Sequence, residues 1–225
     1  MISQCHECIY RSQTFDDLTK EQLQKISLVK HEEYYHRGEL IYREETPIEE
    51  FMYLKKGLVK LVTHRGHKEH IINIAQPGDF IGLLSIFSSE KHPHSIIAIE
   101  PTEVCFVPLE TLKQLISSNG SFALSFFRKI SSVSEHVLQT RININTRQLR
   151  GRIAYILLFF SEQVYKNKKY QLPISRKEVG ELIDMSTENV IRVLSEFRKD
   201  EILAIEGKTI EILDKNRLQK IYQLG

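Results

Sequence analysis

Residues 174–197 read ISRKEVGELIDMSTENVIRVLSEF. Two short helical patterns follow one another here with almost no space between them, and each is opened by a serine. In the first, Ser175 and Glu178 have the spacing of a capping box, where hydroxyl and carboxylate each satisfy a backbone N–H of the first turn. Val179, Leu182 and Ile183 supply its buried face. Asp184 and Met185 form the turn, and Ser186 caps the second helix. Val190, Val193, Leu194 and Phe197 point inward, which leaves Thr187, Glu188, Ile191 and Arg192 on the open face near the start of that helix.

Two capped helices joined by a short turn define a helix-turn-helix, whose second helix enters the DNA major groove by its N-terminal end. Chemistry agrees with this reading. An arginine bonds guanine bidentately, and a glutamate accepts from the cytosine amino group. A glutamate set against phosphates would be repelled, so Glu188 is expected to meet bases. The bland alternative is a surface Glu–Arg pair one helical turn apart, worth about 0.3–0.5 kcal/mol. The stretch that follows, ILAIEGKTIEIL (residues 202–213), alternates around Glu206–Gly207 and reads as a β-hairpin wing.

The rest of the chain gives that module a setting. Net charge is +2 over 225 residues, but residues 145–225 hold 15 Lys/Arg against 11 Asp/Glu. The polyanion-facing half is therefore the C-terminal one. Upstream, LTKEQLQKISLV (residues 18–29) reads as a helix with Thr19 and Gln22 as its capping box. Between Tyr34 and Val107, short β-rich runs alternate with turns at Gly38, Gly57, Gly66, Gly78 and Pro101, the pattern of an antiparallel sandwich or barrel. LETLKQLISS is a helix interrupted at Asn119–Gly120, and a longer helix runs from about Phe122 to Ile144. On it Phe126, Ile130, Val133, Val137, Thr140 and Ile144 keep alternating spacings of 4 and 3, the seam of a coiled coil, so a homodimer is expected. The competing reading lays this helix on its own β-domain. A further helix from Arg147 to about Tyr165 carries IAYILLFF as the buried backbone of a C-terminal domain, and YKNKKYQLP reads as a polar link.

With 41% hydrophobic and 27% charged residues the composition is that of a globular chain. The longest apolar run, Ile153–Phe160, is far short of a membrane span, and MISQCHEC has no apolar signal core, so the expectation is a cytoplasmic protein without membrane association. Three cysteines cannot close a disulfide framework. No nucleophile–base arrangement, phosphate loop or zinc-enzyme helix is present, so an enzyme is not expected. A cupin-like metal-binding enzyme with a helical dimerisation domain is the alternative, but the histidines at 64, 67, 70, 92 and 94 form no convergent set. His64 and His70 rather flank a hairpin turn.

ISRKEVGELIDMSTENVIRVLSEFRKDEILAIEGKTIEIL resembles the winged helix of the bacterial cyclic-AMP receptor / fumarate-nitrate reductase regulator (CRP/FNR) family. GELIYREE, YLKKGLVKL, PGDFIGLLSIF and VCFVPLETLKQLI resemble that family's β-roll, so the likeness spans nearly the whole chain in order. The resemblance implies an α+β fold with a cyclic-nucleotide-binding-like β-roll, a long dimerisation helix and a winged helix-turn-helix. The corresponding domains are residues 1–118, 119–145 and 146–225. It implies a sequence-specific transcription regulator that binds double-stranded DNA and RNA polymerase. By position Glu188 and Arg192 match base-contacting residues, and Thr187 a variable specificity position. Arg176, Lys177, Ser186, Asn189 and Lys208 match contacts to the DNA backbone. The family's usual glycine in the turn is Asp184 here, a residue that tolerates left-handed geometry.

The resemblance also bears on the effector. The nucleotide pocket of the family maps to Leu83, His94 and Ser95, where a glutamate for the ribose and an Arg-Ser pair for the phosphate would be needed. Leucine cannot bond a ribose, and histidine is a poor substitute for a fixed guanidinium, so cyclic AMP is not the expected effector. Cys5, Cys8 and Cys105 fall in the two regions where the iron–sulfur branch of the family places its ligands. That branch uses four cysteines; the missing position falls near Thr14, so a cluster would need another donor.

Overall fold

The structure, a computed structural model, describes residues 4–65 and 68–225. Its elements are α1 (Lys20–Val29), β1 (His31–Tyr35), β2 (Leu40–Tyr42), β3 (Glu50–Lys56), β4 (Val59–Arg65), β5 (Lys68–Ala75), β6 (Phe80–Ile81), β7 (Ser95–Ala98), β8 (Thr102–Pro108), α2 (Leu109–Ser118) and α3 (Gly120–Thr146). They continue with α4 (Leu149–Leu158), β9 (Lys169–Gln171), α5 (Arg176–Leu182), α6 (Thr187–Lys199), β10 (Leu203–Glu206), β11 (Thr209–Ile212) and α7 (Lys215–Leu224). Contacts divide the chain into two compact units that meet in sequence at Val137 and Leu138, inside α3.

In the first unit two four-stranded antiparallel sheets, ordered β1-β8-β3-β6 and β2-β7-β4-β5, enclose a β-roll core. Alternation along β3 builds two cores from one strand, because successive side chains point to opposite faces. Met52 and Leu54 join Val59, Ile96, Val104 and Phe106 between the sheets. Phe51 and Tyr53 point the other way and pack with Phe80, Val107, Leu23 and Ile26 of α1, Leu112 of α2 and Phe122 of α3. The expected capping box at Thr19 and Gln22 starts α1. Asn119, which interrupts the helical sequence, restarts it: its Oδ1 accepts from the N–H of Phe122 at 3.0 Å. His64 and Glu69 face each other across the β4–β5 hairpin, and His64 Nδ1 lies 3.1 Å from Glu44. His67, also weighed above, lies outside the described residues.

The seam expected on α3 is corrected at its two ends, Phe126 and Ile144. Phe126 is buried in its own β-domain's core, with Ile130 and Val133 packed against the same cluster. In the second unit Ile144 is buried and the Thr140 hydroxyl lies 3.3 Å from that of Tyr155. Phe126 and Ile144 are therefore core residues of their own chain, while Ile130, Val133, Val137 and Thr140 stay partly exposed. The apolar side chains that α3 leaves exposed are Leu124, Phe127, Leu138 and Ile142. At about 100° per residue they share an arc of roughly 60°, some 130° around the helix from the expected seam.

The second unit carries the winged helix. Its sheet, β10-β11-β9, draws in Lys169–Gln171, which the sequence reading treated as a link. α7 was not anticipated either. Asp214 caps it by accepting from the N–H of Arg217, and it packs on α4 through Tyr222, whose ring lies 6.0 Å from that of Tyr155 and 4.1 Å from the Arg147 guanidinium. The α4 helix ends in a π-helical turn, Phe159–Val164.

The packing of α3 generates a test. Phe126→Ala is expected to cost about 3–5 kcal/mol in urea unfolding, as a large core aromatic removed. Ser132→Ala, exposed on the same helix and on neither apolar arc, is expected to fall within about 0.5 kcal/mol of wild type.

Candidate nucleic-acid interface

The helix-turn-helix is fixed by local backbone chemistry. Ser175 accepts from Glu178 N–H at 3.2 Å while the Glu178 carboxylate accepts from Ser175 N–H at 2.7 Å, the full capping box. Asp184 adopts φ +53°, the left-handed conformation its side chain tolerates. Past it, Met185 N–H donates to the Gly180 carbonyl at 2.8 Å. A Cβ on Gly180 would sit 2.5 Å from the Met185 carbonyl oxygen, so only glycine lets the turn close on α5. Ser186 then caps α6 by accepting from Asn189 N–H. Val190, Val193, Leu194 and Phe197 are all buried, as expected.

The opposite face of α6 is open. Glu188 is exposed at the first turn, where its own backbone N–H and the Ser186 hydroxyl hold its carboxyl below the usual range. Ile191 is 52% exposed. Arg192 does not pair with Glu188, the bland alternative considered above. Its guanidinium donates to Glu196 at 2.6 Å and to Asn189 Oδ1 at 3.2 Å, both on α6. Glu196 in turn accepts from Arg150 of α4 at 2.9 Å, and Arg150 reaches Asp200 at 2.8 Å. A chain of charge-assisted bonds therefore ties the Arg192 side chain to the scaffold. Sequence reasoning missed Glu196, which stands one helical turn after Arg192 and could have been read as its partner.

The expected backbone-contacting residues surround this face, with distinct local roles. Lys177 is exposed and 3.6 Å from Glu181. Arg176 is half-buried, donates to the Gly207 carbonyl at 3.2 Å and so pins the wing turn to α5. Burial lowers its guanidinium from the usual value. Lys208 projects from that turn, which Gly207 makes possible at φ +58°. Thr187, Glu188, Asn189, Arg192 and the Ser186 cap thus occupy the same end of α6.

The expected effector residues each have a distinct local setting. Leu83 packs into the cluster of Phe51, Phe80 and Phe122 on the helical side of the roll. Ser95 is buried on β7, where its hydroxyl accepts from Glu44 N–H at 3.0 Å. His94 keeps a buried Nδ1 without a hydrogen-bond partner among the described residues. Leu83 is a core residue in this fold.

The three cysteines are brought together. Cys5, Cys8 and Cys105 line a cavity of about 50 Å³ with Arg11, Lys30, Glu32, Tyr53, Lys55 and apolar side chains. Against the cost of burial, hydrogen bonds from Lys30 and Lys55 hold the Glu32 carboxyl down at about 2. The donor set does not fit a four-ligand iron–sulfur cluster. Thr14, at the missing position, is buried with its hydroxyl on Ser12 and is not in the lining. Among the described residues no group of three or more His, Cys, Asp or Glu is placed to hold a metal ion.

A β-roll joined through a long helix to a winged helix-turn-helix is the build of a ligand- or signal-controlled DNA-binding regulator, and comparison with known proteins agrees. The cyclic nucleotide-binding domain matches residues 32–119 and the Crp-like helix-turn-helix domain residues 151–221. The chain is 27% identical to the transcriptional activator protein Anr of Pseudomonas aeruginosa over 94% of this chain and 86% of that protein. It is 22% identical to the fumarate and nitrate reduction regulatory protein of Escherichia coli over 82% of this chain and 76% of the other. FixK2 from Bradyrhizobium japonicum superimposes with a TM-score of 0.77 at 24% identity, covering 86% of this chain and 97% of that one. The chain belongs to the CRP/FNR family of transcription regulators. The family consists of regulators rather than enzymes, and nothing supports the cupin-like alternative. Among the described residues no helix is long and apolar enough to cross a membrane.

The Glu32 pair generates a pH prediction. Its folded-state value lies below the ordinary carboxylate value, so its stabilisation is complete above about 4.5 and is lost as pH falls toward about 2. Melting temperature is expected to fall over that window, and less steeply in Glu32→Gln, when followed by circular dichroism.

Proposed function

We propose that two copies of this chain associate along α3 and each sets the N-terminal end of α6 into the major groove, where Glu188 and Arg192 read base edges. The observation that carries this reading is the open face of α6, with Arg192 oriented by Glu196 beside an exposed Glu188. Arg192 meets a guanine, Glu188 a cytosine amino group, and Thr187 tunes the neighbouring base. Lys177, Lys208, Ser186 and Asn189 contact phosphates or sugars, and Arg176 supports them by fixing the wing. Residues 1–118 serve as the sensory domain, 119–145 as the dimerisation helix and 146–225 as the DNA-binding domain. The protein works in the cytoplasm with RNA polymerase as a partner, a role its activator relatives support. Its signal is an effector other than cyclic AMP or a redox input. The Leu83 side chain and the engaged Ser95 hydroxyl support the exclusion of the nucleotide.

For the pairing of subunits, Leu124, Phe127, Leu138 and Ile142 replace the seam expected from spacing. The double variant Leu138→Glu/Ile142→Glu is expected to sediment as a monomer while its circular dichroism stays native. A dimer persisting at micromolar concentration would place the interface elsewhere.

DNA recognition is tested by selection from random duplexes and by titration at two salt concentrations. Arg192→Ala is expected to lose about 1–3 kcal/mol on the selected site and to relax one guanine position. Lys208→Ala is expected to weaken all sequences alike and to flatten the salt dependence by about one ion. Uniform loss in both variants would remove Arg192 as a base reader.

A further inference from the structure

The cavity at the cysteines has chemistry that the DNA-binding reading does not use. Cys5–Glu7 forms a single 3-10 turn, closed by Cys8 N–H donating to the Cys5 carbonyl. Residues three apart eclipse one another on such a turn, and three steps of about 2 Å separate their Cα atoms by about 6 Å. A disulfide spans Cα separations of roughly 4.4–6.8 Å. Both side chains line the same cavity and both are half-buried, so they are within reach of a small solute. The turn is anchored independently of the thiols. Cys5 N–H donates to the Ser27 hydroxyl of α1 at 2.8 Å, and the Tyr53 hydroxyl donates to the Tyr10 carbonyl.

The third thiol is of another kind. Cys105 stands on β8, opposite Tyr53 of β3 and Glu32 of β1. Burial pushes its thiol up to about 12, which keeps it protonated and poorly nucleophilic. The charged side chains of the lining are paired with carboxylates: Arg11 with Asp16 at 2.9 Å, Lys30 with Glu32, and Lys55 with Glu32 at 2.7 Å and with Glu103. On the turn, His6 holds a buried Nδ1 without a hydrogen-bond partner among the described residues. A cavity of about 50 Å³ admits a few molecules of the size of water. Hydrogen peroxide is little larger.

We infer that Cys5 and Cys8 form a redox-active dithiol that is oxidised by a small peroxide to an intra-turn disulfide, with Cys105 as a non-participating wall of the cavity. One cysteine sulfur attacks a peroxide oxygen; the O–O bond breaks, a sulfenic acid forms and water leaves. The second thiol attacks that sulfur, the S–O bond breaks, a second water leaves and the S–S bond closes. Two electrons pass from the two thiols to one hydrogen peroxide, which becomes two waters. A dithiol reductant restores the thiols by exchange. The same donors that fall short of a four-ligand cluster thus suffice for a two-thiol couple.

Cys5 and Cys8 share one tryptic peptide, residues 1–11, and Cys105 lies in another, which makes the test direct. The full-length protein, fully reduced under nitrogen, is exposed to one equivalent of hydrogen peroxide, then denatured, alkylated and digested. The expected result is a peptide 1–11 lighter by two hydrogens, closed to alkylation and reopened by dithiothreitol, with Cys105 alkylated throughout. Cys105→Ser is expected to behave as wild type. Cys8→Ser is expected to lose the disulfide and to leave a sulfenic acid on Cys5 that dimedone traps. Free alkylation of both cysteines after peroxide would overturn the assignment, as would a cross-link between peptide 1–11 and Cys105. So would uptake of iron and sulfide with visible absorbance on anaerobic reconstitution, because the thiolates would then be ligands.

Discussion

The backbone reversal at Asp184 and Met185 is the constraint on which the DNA-facing surface depends. It brings the end of α5 and the start of α6 into contact over two residues, through a left-handed Asp184 and a hydrogen bond from Met185 to Gly180. A side chain larger than glycine at position 180 would collide with the Met185 carbonyl. Because that reversal is fixed, the Ser186 cap is fixed, and with it the direction in which Glu188 and Arg192 leave α6. The buried face of the helix, Val190, Val193, Leu194 and Phe197, then holds the direction in place.

Orientation of Arg192, the proposed base reader, extends this constraint outward. A free arginine side chain carries about 2 kcal/mol of rotamer entropy that recognition must overcome. Here Glu196 accepts from Arg192 on one oxygen and from Arg150 on the other, while Arg150 also stacks 4.8 Å from the Phe197 ring. The carboxylate therefore couples an exposed side chain to a packed one, and part of the ordering cost is met before DNA arrives. Arg176 does the same for the wing by holding the Gly207 carbonyl. Its half-buried guanidinium belongs as much to the fold as to any phosphate.

Much of this was legible in the sequence because it rests on local rules. The capping boxes at Thr19/Gln22 and Ser175/Glu178, the left-handed role of Asp184 and the hairpin around Gly207 each follow from neighbouring residues alone. What was not legible required knowing which surfaces meet. α3 is apolar on two arcs, and spacing cannot say which one its own β-domain covers. The regular 4-3 series from Phe126 to Ile144 is buried at both ends and partly exposed between them, while the more exposed arc is broken by Ser131, Ser134 and Glu135. The Asp214 cap of α7 was a local signal that went unread; the pairing of Lys169–Gln171 with β11 was not local at all.

The central claim is that α6 reads bases rather than merely resting on phosphates. Guanine-N7 methylation interference on a duplex selected by the full-length protein tests it most directly, because it removes one acceptor edge and leaves the phosphate charge in place. The account predicts strong interference at a symmetric pair of guanines, one in each half-site and one helical turn apart, about 34–36 Å. Binding unaffected by methylation at every guanine, on a duplex that the protein still retains, would contradict it.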